Sequence, residues 1–310
     1  MIVKYNIPVY KISWLNYAEG GFIGTYYEPE NLEELVNLVK DLNCAEKFFD
    51  IVGHTSNIYF LPNYNTEILI STRRVNRFVI KENYIIADCG VSVRMLARQM
   101  VDEGVNGFEG LIDLPGTVAA AVYGNASCYE CSINDLLLSF EVLRNTGEIE
   151  TLYPADLNLS KRSSSFKRGE QKGVILTVKL KKECGNREMI QSKATSNHQL
   201  RLSTQPPAQN NLGSIYKNSQ GWSLYGKMIK IIVNICDGLS RFVHRGKGGL
   251  NRKTLLLRII GAEDLSPYIY NWNRFIWKDA DAHRLFWKYH QKHQKLFKNS
   301  EFEIEIKGEI

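Results

Sequence analysis

The first hundred residues alternate between helical and strand-like periods and leave no long linker between them. "PENLEELVNLVKDL" (Pro29–Leu42) sets Leu32, Leu35, Val36, Val39 and Leu42 at spacings of three and four, with acidic residues in the first turn. That spacing predicts an amphipathic helix. "FFDIVGHTSNIYF" (Phe48–Phe60) reads as strand, Gly-polar turn, strand. "TEILISTRRVNRFVIKENYIIADCGVSV" reads as strands joined by a turn around Lys81–Asn83, and "RMLARQMVDEG" (Arg94–Gly104) as a helix stopped by glycine.

The pattern continues downstream. Pro115-Gly116 is turn chemistry, and the small residues of "TVAAAVYG" let a backbone or a flat ligand approach closely. "SFEVLRNTGEIETL" predicts a hairpin closed by Asn145-Thr146-Gly147. "SKRSSSFKRGEQKGVILTVKLKK" is a polar loop feeding a strand. From Gly185 to Thr204 the chain turns helical and polar, which sets a domain boundary at about 190. "DADAHRLFWKYHQKHQKLF" (Asp279–Phe297) predicts a helix, and "EFEIEIKGEI" an alternating strand.

The 310 residues suffice for two or three domains, and 44% hydrophobic against 23% charged content is ordinary for a globular chain. The formal charge of +6 is mild and the Lys and Arg read as scattered. That fits a small anionic ligand such as a nucleotide and argues against a nucleic-acid partner. The first 21 residues lack a signal-peptide pattern, and no window holds 18 uncharged apolar residues. A cytoplasmic location without a membrane span is therefore expected. Six cysteines show no framework, and the lone Cys128-Tyr-Glu-Cys131 has no second pair, so free thiols and no metal are expected.

Five stretches, in order, carry a resemblance: "VGHTSNIYF", "GFEGLIDLPGTVAAAVYGNASCY", "KRSSSFKRG", "RLSTQPPAQNNLGSIYKN" and "FEIEIKG". Together they resemble the flavoenzyme family of UDP-N-acetylenolpyruvoylglucosamine reductases (MurB), over residues of about 15–218 and about 270–308. The resemblance implies an α+β fold with a two-lobed FAD-binding domain of the vanillyl-alcohol-oxidase/MurB type, then a C-terminal α+β substrate domain. The implied divisions are residues 1–72, 73–190 and 191–310. It implies FAD and NADPH as cofactors, and reduction of UDP-N-acetylglucosamine enolpyruvate to UDP-N-acetylmuramate for peptidoglycan synthesis.

Carried over by motif, the catalytic set is Arg162, Ser214 and Glu305. Gly53, Ser56, Asn57, Pro115, Gly116, Thr117 and Asn125 fall at the flavin, and Gln205, Lys217 and Asn218 at the sugar nucleotide. Taken singly, Arg162 is a loop arginine, Ser214 a turn serine and Glu305 the wet face of an edge strand. As a set they suit the chemistry. Hydride addition to an enol ether conjugated to a carboxylate builds enolate-like charge, which a guanidinium stabilises with paired donors. Such help is commonly worth roughly 3 kcal/mol per donor. The second carbon must then be protonated, which a supported hydroxyl can do. Turn amides and short polar side chains suit a diphosphate.

The chain departs from the family at several points. His54 and Thr55 stand where another glycine is usual, Ala119-Ala120 replace Gly-Gly, Lys161 replaces the Tyr before the loop arginine, and Tyr216 replaces a Phe. The segment 219–272 is rebuilt, with "YGKMIK" at a helix start, "NWNRFIW" in place of a His-bearing segment, and a basic Gly-rich run at His244–Lys253. Within it "LSRFV" and "LLLRII" read as buried strands, and a flexible loop is expected at 244–253. A partner protein on 219–272 is a weaker reading. Two alternatives stay open: a related flavin reductase of another sugar nucleotide, or a non-catalytic flavin-binding or partner-binding homologue.

Overall fold

A computed structural model describes residues 1–15, 20–207, 209–217, 221–243 and 251–309, without the side chains of 241–243. Strands β1 (Ile2–Pro8) and β2 (Phe22–Glu28) pair antiparallel. Helix α1 (Leu32–Cys44) starts where the Asn31 side chain accepts from the Glu34 amide at 2.9 Å. It buries Leu35, Val39 and Leu42 of the expected stripe together with Leu38, while Leu32 and Val36 are half-buried beside them. After β3 (Asp50–Val52), β4 (Ile58–Phe60) and β5 (Asn65–Ser71), the first sheet has the order β1-β2-β5-β3. Neighbours Leu69 and Ile70 face opposite ways, as strand alternation requires. Leu69 packs with Val9, Ile23 and Tyr26, whereas Ile70 packs with α1.

The second lobe runs β6 (Phe78–Ile80), β7 (Tyr84–Asp88), α2 (Val93–Asp102), α3 (Val118–Tyr123), β8 (Ser127–Cys128), β9 (Cys131–Ser132), α4 (Ile133–Leu136), β10 (Leu137–Leu143), β11 (Ile149–Leu152) and β12 (Val174–Lys181). Its sheet is antiparallel throughout, in the order β11-β10-β12-β7-β6. The hairpin at Asn145–Gly147 forms as expected, with Gly147 at φ +88°. Central strand β12 is buried on both faces. Val178 and Leu180 join the lobe's own core, whereas Val174 and Leu176 pack against α1 of the first lobe. The two lobes thus share an apolar seam. Helix α5 (Arg187–Thr204) follows, and its Ile190 and Ala194 belong to the second lobe's core, so a boundary at 190 cuts a helix that this lobe holds.

The remaining segment comprises α6 (Leu224–Val243), α7 (Arg252–Ile259), β13 (Ile269–Asn271), β14 (Arg274–Phe275), α8 (Ala282–Leu296) and β15 (Glu305–Lys307). The α+β class and two-lobed architecture expected from the motifs are present. The readings inside 219–272 need correction. "LSRFV" ends helix α6 and "LLLRII" lies in and just after α7, because both runs sit within longer stretches of helical period. The expected basic loop ends in helix: Asn251 caps α7, and Arg252 pairs with the buried Asp237 at 2.8 Å. Residues 244–250 lie outside the described residues. The strand expected throughout "EFEIEIKGEI" narrows to β15. It pairs in parallel with β4, setting Glu305 opposite Ile58. Among the described residues, no helix is long and apolar enough to cross a membrane.

Candidate active site

The turn between β3 and β4 faces the start of α3. A Cβ on Gly53 would stand 2.6 Å from Thr117 Oγ1, so any larger residue there must push Thr117 aside. Thr55 takes a left-handed backbone, φ +57°, and its hydroxyl donates to the Ile12 carbonyl at 3.0 Å. A residue bulkier than the usual glycine is thereby anchored in the turn. Among the described residues, the backbone N–H groups of Gly53–Asn57 donate to no protein acceptor. Opposite them, Gly116 holds φ +117° beside Ser56, and Thr117 Oγ1 accepts from the Ala120 amide at 3.4 Å. Small residues Ala119, Ala120 and Gly124 floor the cleft, which has a volume of about 350 Å³. Free amides beside small residues are the donor set a diphosphate and a flat ring require.

Ser56, Asn57, Gly116, Thr117, Ala120 and Lys167 also line a second recess of about 190 Å³, so the two cavities are continuous. Arg162, Ser214, Arg274, Glu303, Arg201 and Gln205 converge there from four separate segments. Arg162 sits at φ +56°, a conformation that non-glycine residues hold only when their surroundings fix it. Its Nε lies 3.1 Å from Glu303, and its Nη1 donates to Ser127 Oγ at 2.8 Å. Arg274 Nη1 donates to Ser214 Oγ at 2.5 Å. Burial raises the Glu303 carboxyl above the usual range, against the pull of Arg162, Arg274 and Lys167. Burial likewise lowers Arg274.

Glu303 lies two residues before Glu305, in a bend that precedes β15. Glu305, expected beside Ser214, lines the cleft and pairs with Lys167 at 2.6 Å. Glu303 lines the recess, and its amide donates to the Ile215 carbonyl at 2.8 Å. Its carbonyl accepts from Asn57 Nδ2 at 3.2 Å and from Lys167 Nζ at 3.1 Å. The segment before β15 thus ties the Ser214 segment to the Gly53 turn.

Gln205 lines the recess and donates to the Tyr129 hydroxyl at 3.3 Å. Lys217 turns away to Glu301, at 2.5 Å, and lines neither cavity. Asn125 also lines neither; it bridges Ser160 and Asn134 at 2.8 and 3.1 Å. Asn218 lies outside the described residues. Pro115 lines the recess rather than the cleft. The sequence reading passed over Glu303, Lys167 and Arg274. Strand alternation around Glu305 pointed to Glu303, and Lys167 stood within a quoted motif. Nothing local marked Arg274, which meets Ser214 across 60 residues.

The two sheets, their shared seam and the crevice between them define an α+β protein of the two-lobed FAD-binding type. The FAD binding domain family matches residues 24–153. The chain is similar to UDP-N-acetylenolpyruvoylglucosamine reductases, bearing out the resemblance of the five motifs. It is 31% identical over 204 residues to the one from Caldicellulosiruptor saccharolyticus, covering 65% of each chain. It is 29% identical to the one from Carboxydothermus hydrogenoformans, covering 66% of this chain and 68% of the relative. The chain thus spans just under two thirds of the first of these relatives. The crystal structure of UDP-N-acetylenolpyruvylglucosamine reductase from Thermus caldophilus matches in fold with a TM-score of 0.70, at 20% identity, over 99% of this chain and 100% of that one.

Proposed function

We propose that this protein is an FAD-dependent, NADPH-using reductase that converts UDP-N-acetylglucosamine enolpyruvate to UDP-N-acetylmuramate in cytoplasmic peptidoglycan precursor synthesis. The observation that carries the reading is the meeting of Ser214, Arg162, Arg274 and the half-buried Glu303 in a recess continuous with a cleft lined by the Gly53–Asn57 turn. Bound FAD would supply the hydride chemistry that links NADPH to the enolpyruvyl double bond. Gly53, Ser56, Asn57, Gly116 and Thr117 would hold it, since their amides and short side chains meet the cleft. Residues 1–72 and 73–190, with the rest of α5, would form its two lobes, and the remainder the substrate side.

The chain's own residues supply charge and a proton. Arg162 is fixed by Ser127 and Glu303, so its remaining N–H groups face the substrate carboxylate without reorganising. Arg274 donates into a lone pair of Ser214 Oγ and leaves the hydroxyl proton free to point at substrate. As Ser214 gives that proton to the carbon beside the carboxylate, the guanidinium stabilises the alkoxide left behind. Glu303, held toward its protonated form by burial, is suited to return the proton. Gln205 and Arg201 line the side where the sugar nucleotide would extend.

An anaerobic absorbance trace tests this reading. NADPH should bleach the flavin band of the purified protein, and UDP-N-acetylglucosamine enolpyruvate should restore it promptly. Bleaching without recovery would sink the substrate assignment. No flavin band after addition of FAD would sink the enzyme.

A further inference from the structure

Helix α6 has three sides. Ile229, Val233 and Asp237 are buried, and a Cβ on Gly226 would press on the Leu296 carbonyl at the end of α8. A second side carries Lys227, Lys230 and Asn234. The third is apolar and faces solvent: Leu224 is 80% exposed, Met228 62%, Ile231 57%, Ile235 56% and Leu239 59%. These residues recur at spacings of three and four, so they form one stripe along some 16 residues. A continuous apolar stripe of this length marks an interaction surface.

Charge identifies what covers it. The chain has 39 Lys and Arg against 33 Asp and Glu. Residues 221–262 hold 8 of those cations and a single acid, Asp237, which leaves 31 against 32 elsewhere. The positive charge is therefore not evenly scattered: it is concentrated in the segment that contains α6 and α7. Beside the stripe, an open groove is lined by Lys227, Lys230, Lys298 and Trp222, with Lys230 Nζ 5.7 Å from the indole ring centre. Among the described residues, none of these three lysines forms an ion pair. A second copy of this face would oppose like charge to like, so self-association is disfavoured. An aliphatic stripe flanked by unpaired lysines and a tryptophan matches the boundary between acyl chains and anionic headgroups.

We infer that α6 docks the protein on the surface of a membrane carrying anionic lipid, lying in the interface rather than spanning it, with headgroup phosphates in the lysine groove. This goes beyond the proposed chemistry and does not depend on turnover. The test is co-sedimentation of the full chain with phosphatidylcholine vesicles, with and without phosphatidylglycerol. Binding should need phosphatidylglycerol and weaken with salt. Ile231→Glu with Ile235→Glu should cut it by about tenfold or more. Lys227→Glu with Lys230→Glu should cut it by roughly fivefold per reversed charge, a second route should the first variant fold poorly. Far-UV circular dichroism checks the fold of each. No binding to either vesicle overturns the inference. So does equal binding to both, or a dimer in sedimentation velocity that Ile231→Glu and Ile235→Glu dissolve.

Discussion

The two halves of the crevice are built from different materials. The cleft's turn amides, glycines and alanines come from two short runs of sequence, 53–57 and 116–124, with side chains such as Lys167 and Glu305 at its border. The recess side is charged side chains: Arg162, Ser214, Arg274 and Glu303 come from segments up to 141 residues apart. A backbone site tolerates changes such as Thr55 for glycine, provided the turn keeps its shape. A side-chain site depends on each group and on the distant packing that aims it.

Four experiments sharpen or break this contrast. Ser214→Ala should lower turnover by at least about a thousandfold while flavin reduction by NADPH stays intact, seen by stopped-flow absorbance. Surviving turnover would remove Ser214 from the chemistry. Arg274→Ala should cost about 3 kcal/mol in kcat, roughly a hundredfold, with flavin binding unchanged. A drop confined to KM would instead make Arg274 a substrate anchor.

On the cleft side, Gly53→Ala should weaken flavin affinity about tenfold by forcing Thr117 aside, and Thr117→Ser should restore part of it by removing one methyl near the new Cβ. Fluorescence titration of the apoprotein checks both. Unchanged affinity would mean the turn does not touch the cofactor.

The last prediction concerns what aims Ser214. His293 stacks on Tyr216, ring centres 3.7 Å apart, and bonds Ser300 at 2.7 Å. Burial lowers its pKa to about 3. The unfolded chain takes up a proton below about 6.5, whereas folded His293 resists until about 3. Its share of stability is thus full above pH 6.5 and lost as pH falls toward 3. The loss should be on the order of a few kcal/mol, read from denaturant midpoints. His293→Phe should flatten that slope. A slope equal to the wild type would clear His293 of this role.

The same contrast explains what the sequence disclosed. Helix α1, the hairpin at Gly147 and the helix ending at Gly104 are local events, set by spacing and by residues that tolerate φ above zero. The cleft residues were legible for that reason. Glu303 was one alternation away from the residue chosen, and local pattern alone does not say which of the two carboxylates meets Arg162. Arg274 depends on the hairpin of β13 and β14 folding back over Ser214, a long-range event with no local signature. In 219–272 the apolar runs were mistaken for strands because each was read without its flanks; with them, the helical period of α6 is plain.

The parallel pairing of β15 with β4 also bears on how the protein is born. Glu305 meets Ile58 across 247 residues of chain. At about 5–20 residues per second, a ribosome needs roughly 12–50 s to travel that distance. Throughout that interval the Gly53 turn lacks the strand that braces it, and β4 presents a bare edge. Both larger sheets are built from strands that precede β15, so they are synthesised before the strand that braces the turn. The crevice is complete only once that strand docks, and chaperone cover of β4 matters most just before then.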